Sequence, residues 1–300
     1  MKIRYVKNQD IDKKIWDELI DTAPMGRIYA YSWFLDALCK HWDALIFGDY
    51  KFVMPLPWST KCGVRYCFTP FFIQQLGVYS QEEVSEEVYN LFLASIPSRI
   101  RYIDLQINAD MQLKGSGSTQ RRTNYTLNIN RPYPEIAGAY ERGVRQVLRK
   151  PIAYKFVETF DIDRLVYAYK EMNGYKFSQV NDSHYERLIH LAQEAKKRGQ
   201  LLCFDLKNLE DDILASHLFF LSHGRAYFIA GAQTAKGKEC NANHFFIDAF
   251  IQLHAQKTHY FDFEGSDIPG VAAFFKKWGA MPEYYSQIKI GKFPFNYIKI

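Results

Sequence analysis

Apolar and polar residues alternate through "KIRYVK" at the start of the chain. Apolar residues then fall at helical spacing, at Ile11, Ile15, Trp16, Leu19 and Ile20 and again at Phe34, Leu35, Leu38 and Trp42. One strand followed by two helices is predicted. "ALIF", a Gly48-Asp49 turn and "YKFVMPLPW" read as a hairpin, with Pro55 and Pro57 pointing to an edge strand or an early exit from the sheet. "VRYCF" adds a strand. Ser80 and Glu83 have the spacing of a capping box, which predicts a helix through about residue 95, and "RYIDLQI" has strand character. The predicted order is β-α-α-β-β-β-α-β.

That order returns in the second half: "IAYKFVETF" as a strand, helices over 162–172 and 185–197, then "QLLCFDL", "DILASHLFFLS" and "AYFIAGAQ" as three strands. A helix follows Asn241 or Asn243, with Phe245, Phe246, Ala249, Phe250 and Leu253 on its apolar side, and "YFDFEG" comes next. The repeat is one of element order, as a diverged duplication would leave. Its seam lies near "NINRPYPE", where Asn and two prolines interrupt the pattern, so the expected domains are 1–130 and 131–300. The fold class is α/β, of the α+β mixed-sheet kind.

With 300 residues and 48% hydrophobic content, the chain is long enough for two cores of ordinary size. Its start, "MKIRYVKNQD", is charged where a signal peptide needs an apolar run, and no uninterrupted apolar stretch is long enough to span a bilayer. A cytoplasmic protein is expected. Five cysteines, without the C-x2-C pairing of a zinc ribbon, read as reduced thiols and give no reason to expect a metal. A net charge of +5 mildly favours anionic partners.

Four segments stand in order along the chain: "YAYSWFLDAL", "PFFIQQLGVYS", "RTNYTLNI" leading to the basic "YERGVRQVLRK", and "YFDFEGSDIPGVAAFFKKWGA". With the repeated element order they resemble the GNAT superfamily of N-acyltransferases. As two such units in one chain they resemble the Fem family of peptidoglycan-bridge aminoacyl transferases. The resemblance implies tandem GNAT-like domains, each a central mixed sheet flanked by helices, the first on the acceptor side and the second binding the donor. It implies transfer of an acyl or aminoacyl group from acyl-CoA or aminoacyl-tRNA to an amine-bearing acceptor, a small molecule or cell-wall precursor, held in the groove between the domains. In that fold "AYFIAGAQ" and "YFDFEG" are parallel neighbours that splay apart. Backbone groups of Ile229, Ala230, Gly231 and Ala232 are then left for a pantetheine arm or an aminoacyl ester. Trp33, Gln74, Gln75, Tyr175 and Phe177 are expected along the acceptor cleft.

Asp262 and Glu264 alternate with Phe261 and Phe263, so in a strand the two carboxylates share one face. Placed at a cleft, Glu264 can deprotonate an acceptor amine, with Asp262 as an orienter behind it. Alternatively the acids pair with Lys or Arg on a neighbouring strand, or cap the helix after Pro269. Acyl-CoA-dependent GNAT enzymes carry Arg/Gln-x-x-Gly-x-Gly/Ala before a long helix, where backbone amides cradle the pyrophosphate. "TAKGKECNANHFF" keeps a glycine, a small residue and a polar helix start at Asn241 and Asn243, with Lys236 and Lys238 to offset phosphate charge; the other reading is an exposed basic loop.

The Fem pattern Phe-Lys-x-x-Phe-Gly, aligned on Trp278-Gly279, puts Phe275 at the lysine position, with Lys276 and Lys277 one and two places later. A shift of one residue turns a helical side chain by about 100°. The lysine linked to the aminoacyl-tRNA reaction is therefore displaced. Arg142, Arg145 and Arg149 share a helix face that suits either tRNA phosphates or solvent. His217, on a face with Ala215 and Phe219, reads as a core histidine. The imperfect donor loop and displaced lysine favour the alternative function, a non-catalytic GNAT-like protein that binds an acyl carrier, nucleotide or cell-wall precursor.

Overall fold

In the computed structural model, which describes residues 2–112, 117–176, 179–264 and 269–291, the chain divides into two units. One comprises Met1–Arg122 with Tyr284–Ile300, the other Thr123–Glu283. The first begins with β1 (Arg4–Lys7), α1 (Lys13–Thr22), α2 (Ser32–Leu38), β2 (Trp42–Phe47), β3 (Phe52–Lys61), β4 (Val64–Phe68), α3 (Glu86–Ala94) and β5 (Ile100–Ile107). β6 (Ser118–Asn128) leads into the second unit, with α4 (Tyr133–Gly138), α5 (Arg142–Leu148), β7 (Lys155–Glu158), α6 (Ile162–Asn173) and α7 (Asp182–Lys197). There follow β8 (Leu201–Lys207), β9 (Ile213–Ser222), β10 (Arg225–Gln233), α8 (Ala235–Glu239), α9 (Ala242–His254), β11 (Tyr260–Asp262), α10 (Pro269–Lys276) and β12 (Met281–Gly291).

The two units share a strand order. The first sheet runs β1-β2-β3-β4-β5-β12 and the second β7-β8-β9-β10-β11-β6. In each, the fourth and fifth strands are the parallel pair, and the sixth is antiparallel to the fifth. That sixth strand is exchanged between the repeats. β12, which follows the second repeat, closes the first sheet against β5, while β6, which follows the first repeat, closes the second against β11. The mixed-sheet α/β class expected from the sequence is the one observed.

Each sheet has its own apolar cluster. Met54, Leu56, Phe92, Ile103, Leu105 and Ile288 are buried in the first; Phe219, Phe246, Phe250, Phe261 and Trp278 are buried in the second. The aromatic residues of the second stack on one another, with Phe219 and Phe250 centroids 4.1 Å apart.

Two local expectations are corrected. Ser80 does not open α3: its hydroxyl accepts from the Glu82 N–H at 3.0 Å in a turn, and Ser85 caps the helix by accepting from Val88 N–H at 3.4 Å. Nor is β3 an edge strand, since β2 pairs along one side and β4 joins the other from Trp58 onward. Val53 exchanges backbone hydrogen bonds with Tyr79, away from β2, at 2.9 and 2.8 Å. Pro55 and Pro57 face the same way, so their missing N–H groups take nothing from the ladder with β2.

Candidate functional site

Among the described residues, β10 pairs with β9 along its length but with β11 only at Arg225–Tyr227, opposite Tyr260–Asp262. From Phe228 to Gln233 it runs on past the end of β11, and a register shift between Phe228 and Ala230 marks a bulge there. Bulges bend a strand and redirect its side chains. Ile229, Ala230, Gly231 and Ala232 therefore lie on the part of β10 beyond its described pairing with β11. One of these groups is engaged: the Gly231 carbonyl accepts from Asn173 Nδ2, at the end of α6, at 3.0 Å.

Asp262 ends β11, and Glu264 stands beyond the strand with φ of 54°, so the two acids do not continue one alternating face. Asp262 is 2% exposed. Its Oδ1 accepts from Asn124 Nδ2 at 2.7 Å and from the Glu264 N–H at 3.2 Å, and its Oδ2 accepts from Arg225 Nη1 at 3.0 Å. Arg225 also grips both carboxylate oxygens of Glu283, at 2.7 and 2.8 Å. Burial disfavours the arginine charge, but the two carboxylates outweigh it and raise the pKa above the ordinary value. Glu264 is half-buried, on a backbone turn fixed by the Asp262 carboxylate.

The loop after β10 wraps tightly because of Gly237, where a Cβ would lie 2.1 Å from the Leu214 carbonyl oxygen. Thr234 caps α8 through the Gly237 N–H at 3.0 Å, and Gln233 Nε2 donates to the Gly237 carbonyl at 2.8 Å. The two loop lysines diverge. Lys236 is paired with Asp212 on the surface at 2.7 Å, whereas Lys238 lines a cleft of about 360 Å³ with Gln233, Asn241, Asn243, His244 and Phe274. Asn241 precedes α9 with φ of 60°, a left-handed conformation that asparagine tolerates better than most residues. Asn243 Oδ1 is 3.0 Å from Nε2 of His217. Burial lowers the His244 pKa, a hydrogen bond from its ring to the Asn241 backbone opposes that, and the nearby Lys277 charge lowers it further.

Of the remaining candidates, Arg142, Arg145 and Arg149 are exposed on and just after α5. Lys276 lies over the Tyr125 ring at 5.4 Å, and the Lys277 carbonyl accepts from the Glu141 N–H at 2.8 Å, tying the end of α10 to the start of α5. In the first unit, Trp33 packs on Tyr31 and Phe34 within α2 and its approach, while Gln75 Nε2 donates to Gln74 Oε1 at 2.6 Å in a buried pair. Tyr175 is 80% exposed, and Phe177 lies outside the described residues. Arg225, Asn124 and Asn173 carry no local sequence signal, because each acts on a residue distant in the chain. Among the described residues no group of three or more His, Cys, Asp or Glu side chains could hold a metal ion, and no helix is long and apolar enough to cross a membrane.

No family model matches the sequence, and a comparison with curated proteins finds no match. Solved structures do match. FemX is 12% identical with a TM-score of 0.66, over 95% of this chain and 97% of that one. A conserved protein of unknown function from Bacteroides thetaiotaomicron is 10% identical with a TM-score of 0.63, over 97% and 99%. N-myristoyltransferase of Saccharomyces cerevisiae, solved with bound myristoyl-CoA, is 11% identical with a TM-score of 0.53, over 99% and 83%. At these identities the likeness is one of fold alone, a fold shared over nearly the whole chain with FemX and with N-myristoyltransferase.

Proposed function

We propose that the protein is an N-acyltransferase whose second unit binds an acyl-CoA or aminoacyl-tRNA donor and passes the acyl group to an amine. The observation that carries this reading is the parting of β10 from β11 beside a cleft at the start of α9, in a fold shared with an enzyme solved with myristoyl-CoA. The donor's anionic end would lie at Lys238, Asn241 and Asn243, and its carbonyl along Ile229 to Ala232. Backbone N–H groups on that stretch are suited to stabilise the oxyanion as it forms. Lys236, held by Asp212, would contribute only if that exposed pair opened.

The acceptor amine, once neutral, attacks the donor carbonyl carbon. A C–N bond forms and the C–S bond of a thioester, or C–O bond of an ester, breaks. Glu264 would take the proton lost by nitrogen, and the leaving sulfur or oxygen would end protonated. Positioning supplies most of the acceleration, with no covalent enzyme intermediate. An aminoacyl-tRNA donor would find Arg142, Arg145 and Arg149 exposed for its phosphates.

Thermal shift with CoA, acetyl-CoA and aminoacyl-tRNA tests the reading. A ligand at a hundredfold its Kd stabilises the fold by about 2.7 kcal/mol, so a donor should raise the melting temperature clearly. Stabilisation by CoA without transfer to any amine would favour a binding protein, and no shift with any donor would end the proposal.

A further inference from the structure

His217 and Asn243 stand 26 residues apart and meet in the second unit. The His217 ring is 1% exposed and lies nearly parallel to Phe228 and Phe246, with centroids 4.6 and 3.9 Å away. Burial holds its pKa at about 4 against the opposing pull of the Asn243 hydrogen bond, so at neutral pH the ring carries a single hydrogen. An amide oxygen only accepts, so that hydrogen sits on Nε2, 3.0 Å from Asn243 Oδ1. Nδ1 is left as a buried lone pair with no hydrogen-bond partner among the described residues. A phenylalanine would complete the aromatic stack without an unpaired buried nitrogen. What the histidine adds is the Nε2 hydrogen.

That hydrogen determines which way the Asn243 amide points. Asn243 is half-buried and lines the cleft with Lys238. With its oxygen turned to His217, its NH2 group faces elsewhere, and no hydrogen-bond partner of that nitrogen is present among the described residues. We infer that His217 is a positioning residue: it holds the Asn243 oxygen inward so that the NH2 is presented to the cleft as a donor to an anionic oxygen of the ligand. A reversed amide would present its oxygen and repel the same ligand. The inference rests on reading this cleft as the donor site.

Two measurements on the full chain test it. 15N NMR without ligand should show a neutral His217 ring protonated on Nε2; a ring protonated on Nδ1 overturns the inference whatever the cleft binds. Calorimetric titration with CoA, and with inorganic pyrophosphate as a smaller probe, reads the second half. His217→Phe should weaken binding roughly tenfold, the worth of one good hydrogen bond, while leaving the melting temperature unchanged or higher. His217→Gln, whose amide can donate to Oδ1, should recover most of the loss. Asn243→Asp keeps the shape, removes the NH2 and should weaken binding at least as much, which keeps the test decisive if His217→Phe folds poorly. If wild type binds CoA and both the Phe and Asp variants bind it equally well, the inference fails and the proposed function stands. If wild type binds neither probe, the inference falls, and the proposed function then stands or falls on the aminoacyl-tRNA arm of the thermal-shift test.

Discussion

At Glu264 the backbone has φ of 54°, a conformation that costs a residue with a Cβ about 1–2 kcal/mol. The strain is held from both sides: the Glu264 N–H is fastened to Asp262, and Phe263 is buried in the core. Residues kept in such conformations concentrate at functional sites. Glu264→Gly should therefore raise stability by about 1 kcal/mol in chemical denaturation while removing the proposed base. Glu264→Gln should leave stability unchanged and lower turnover by roughly 10² to 10⁴ in steady-state kinetics. A loss of stability in the glycine variant would mark the side chain as a structural prop and remove its catalytic role. Asp262→Asn acts differently, since it deprives buried Arg225 of one of two carboxylates. With Glu283 remaining, the expected cost is about 2 kcal/mol, below the 3–5 kcal/mol of a wholly broken buried pair.

α9 carries a half-buried acid, Asp248, whose carboxylate accepts from the Tyr133 hydroxyl at 2.8 and 3.0 Å. Burial raises its pKa, and hydrogen bonds from Tyr133 and Tyr140 only partly oppose this. A carboxyl that holds its proton more tightly when folded stabilises most below its unfolded pKa, near 3.8, and that contribution is lost as pH rises through the folded value. Asp248→Asn keeps an acceptor for Tyr133 and cannot ionise. Its melting temperature should match wild type in acid and exceed it increasingly as pH rises; a constant difference at all pH values would show that Asp248 does not titrate with folding.

Elements of this kind, with apolar residues at period 3.6 or 2, were legible in the sequence, including α9, β9 and the β2–β3 hairpin. β6 and β12 were not. Their buried stretches include Asn124, Thr126, Ser286 and Gln287, so polarity did not alternate with burial. Ser286 pairs its hydroxyl with the N–H and carbonyl of Met111, at 3.0 and 2.9 Å, 175 residues away. Likewise the glycine, lysines and asparagines of the loop after β10 could be named from sequence, but the pairing of Lys236 with Asp212 and the contact of Asn243 with His217 could not, because each partner is distant in the chain.

At the scale of the whole molecule, seven of the eight histidines lie in the second unit, and burial lowers His217 and His254 to about 4. A histidine whose folded pKa is depressed lets the unfolded chain bind the proton first, so stability falls as pH drops from about 6.5 towards 4. For His217, nearly fully buried, the loss at pH 4 is on the order of 3 kcal/mol. The second unit should lose amide protection before the first on acidification, as residue-resolved hydrogen exchange would report; simultaneous loss, or loss from the first unit earlier, would refute this. The exchanged sixth strands have a consequence in time as well. Ile107 of β5 pairs with Ser286 of β12, 179 residues further along the chain. At about 5–20 residues per second a ribosome needs roughly 10 to 35 s to bridge that interval. Throughout it the nascent first sheet waits with the edge of β5 uncovered and the place of Ile288 in its core empty, so the amino-terminal half of the protein is the last to mature.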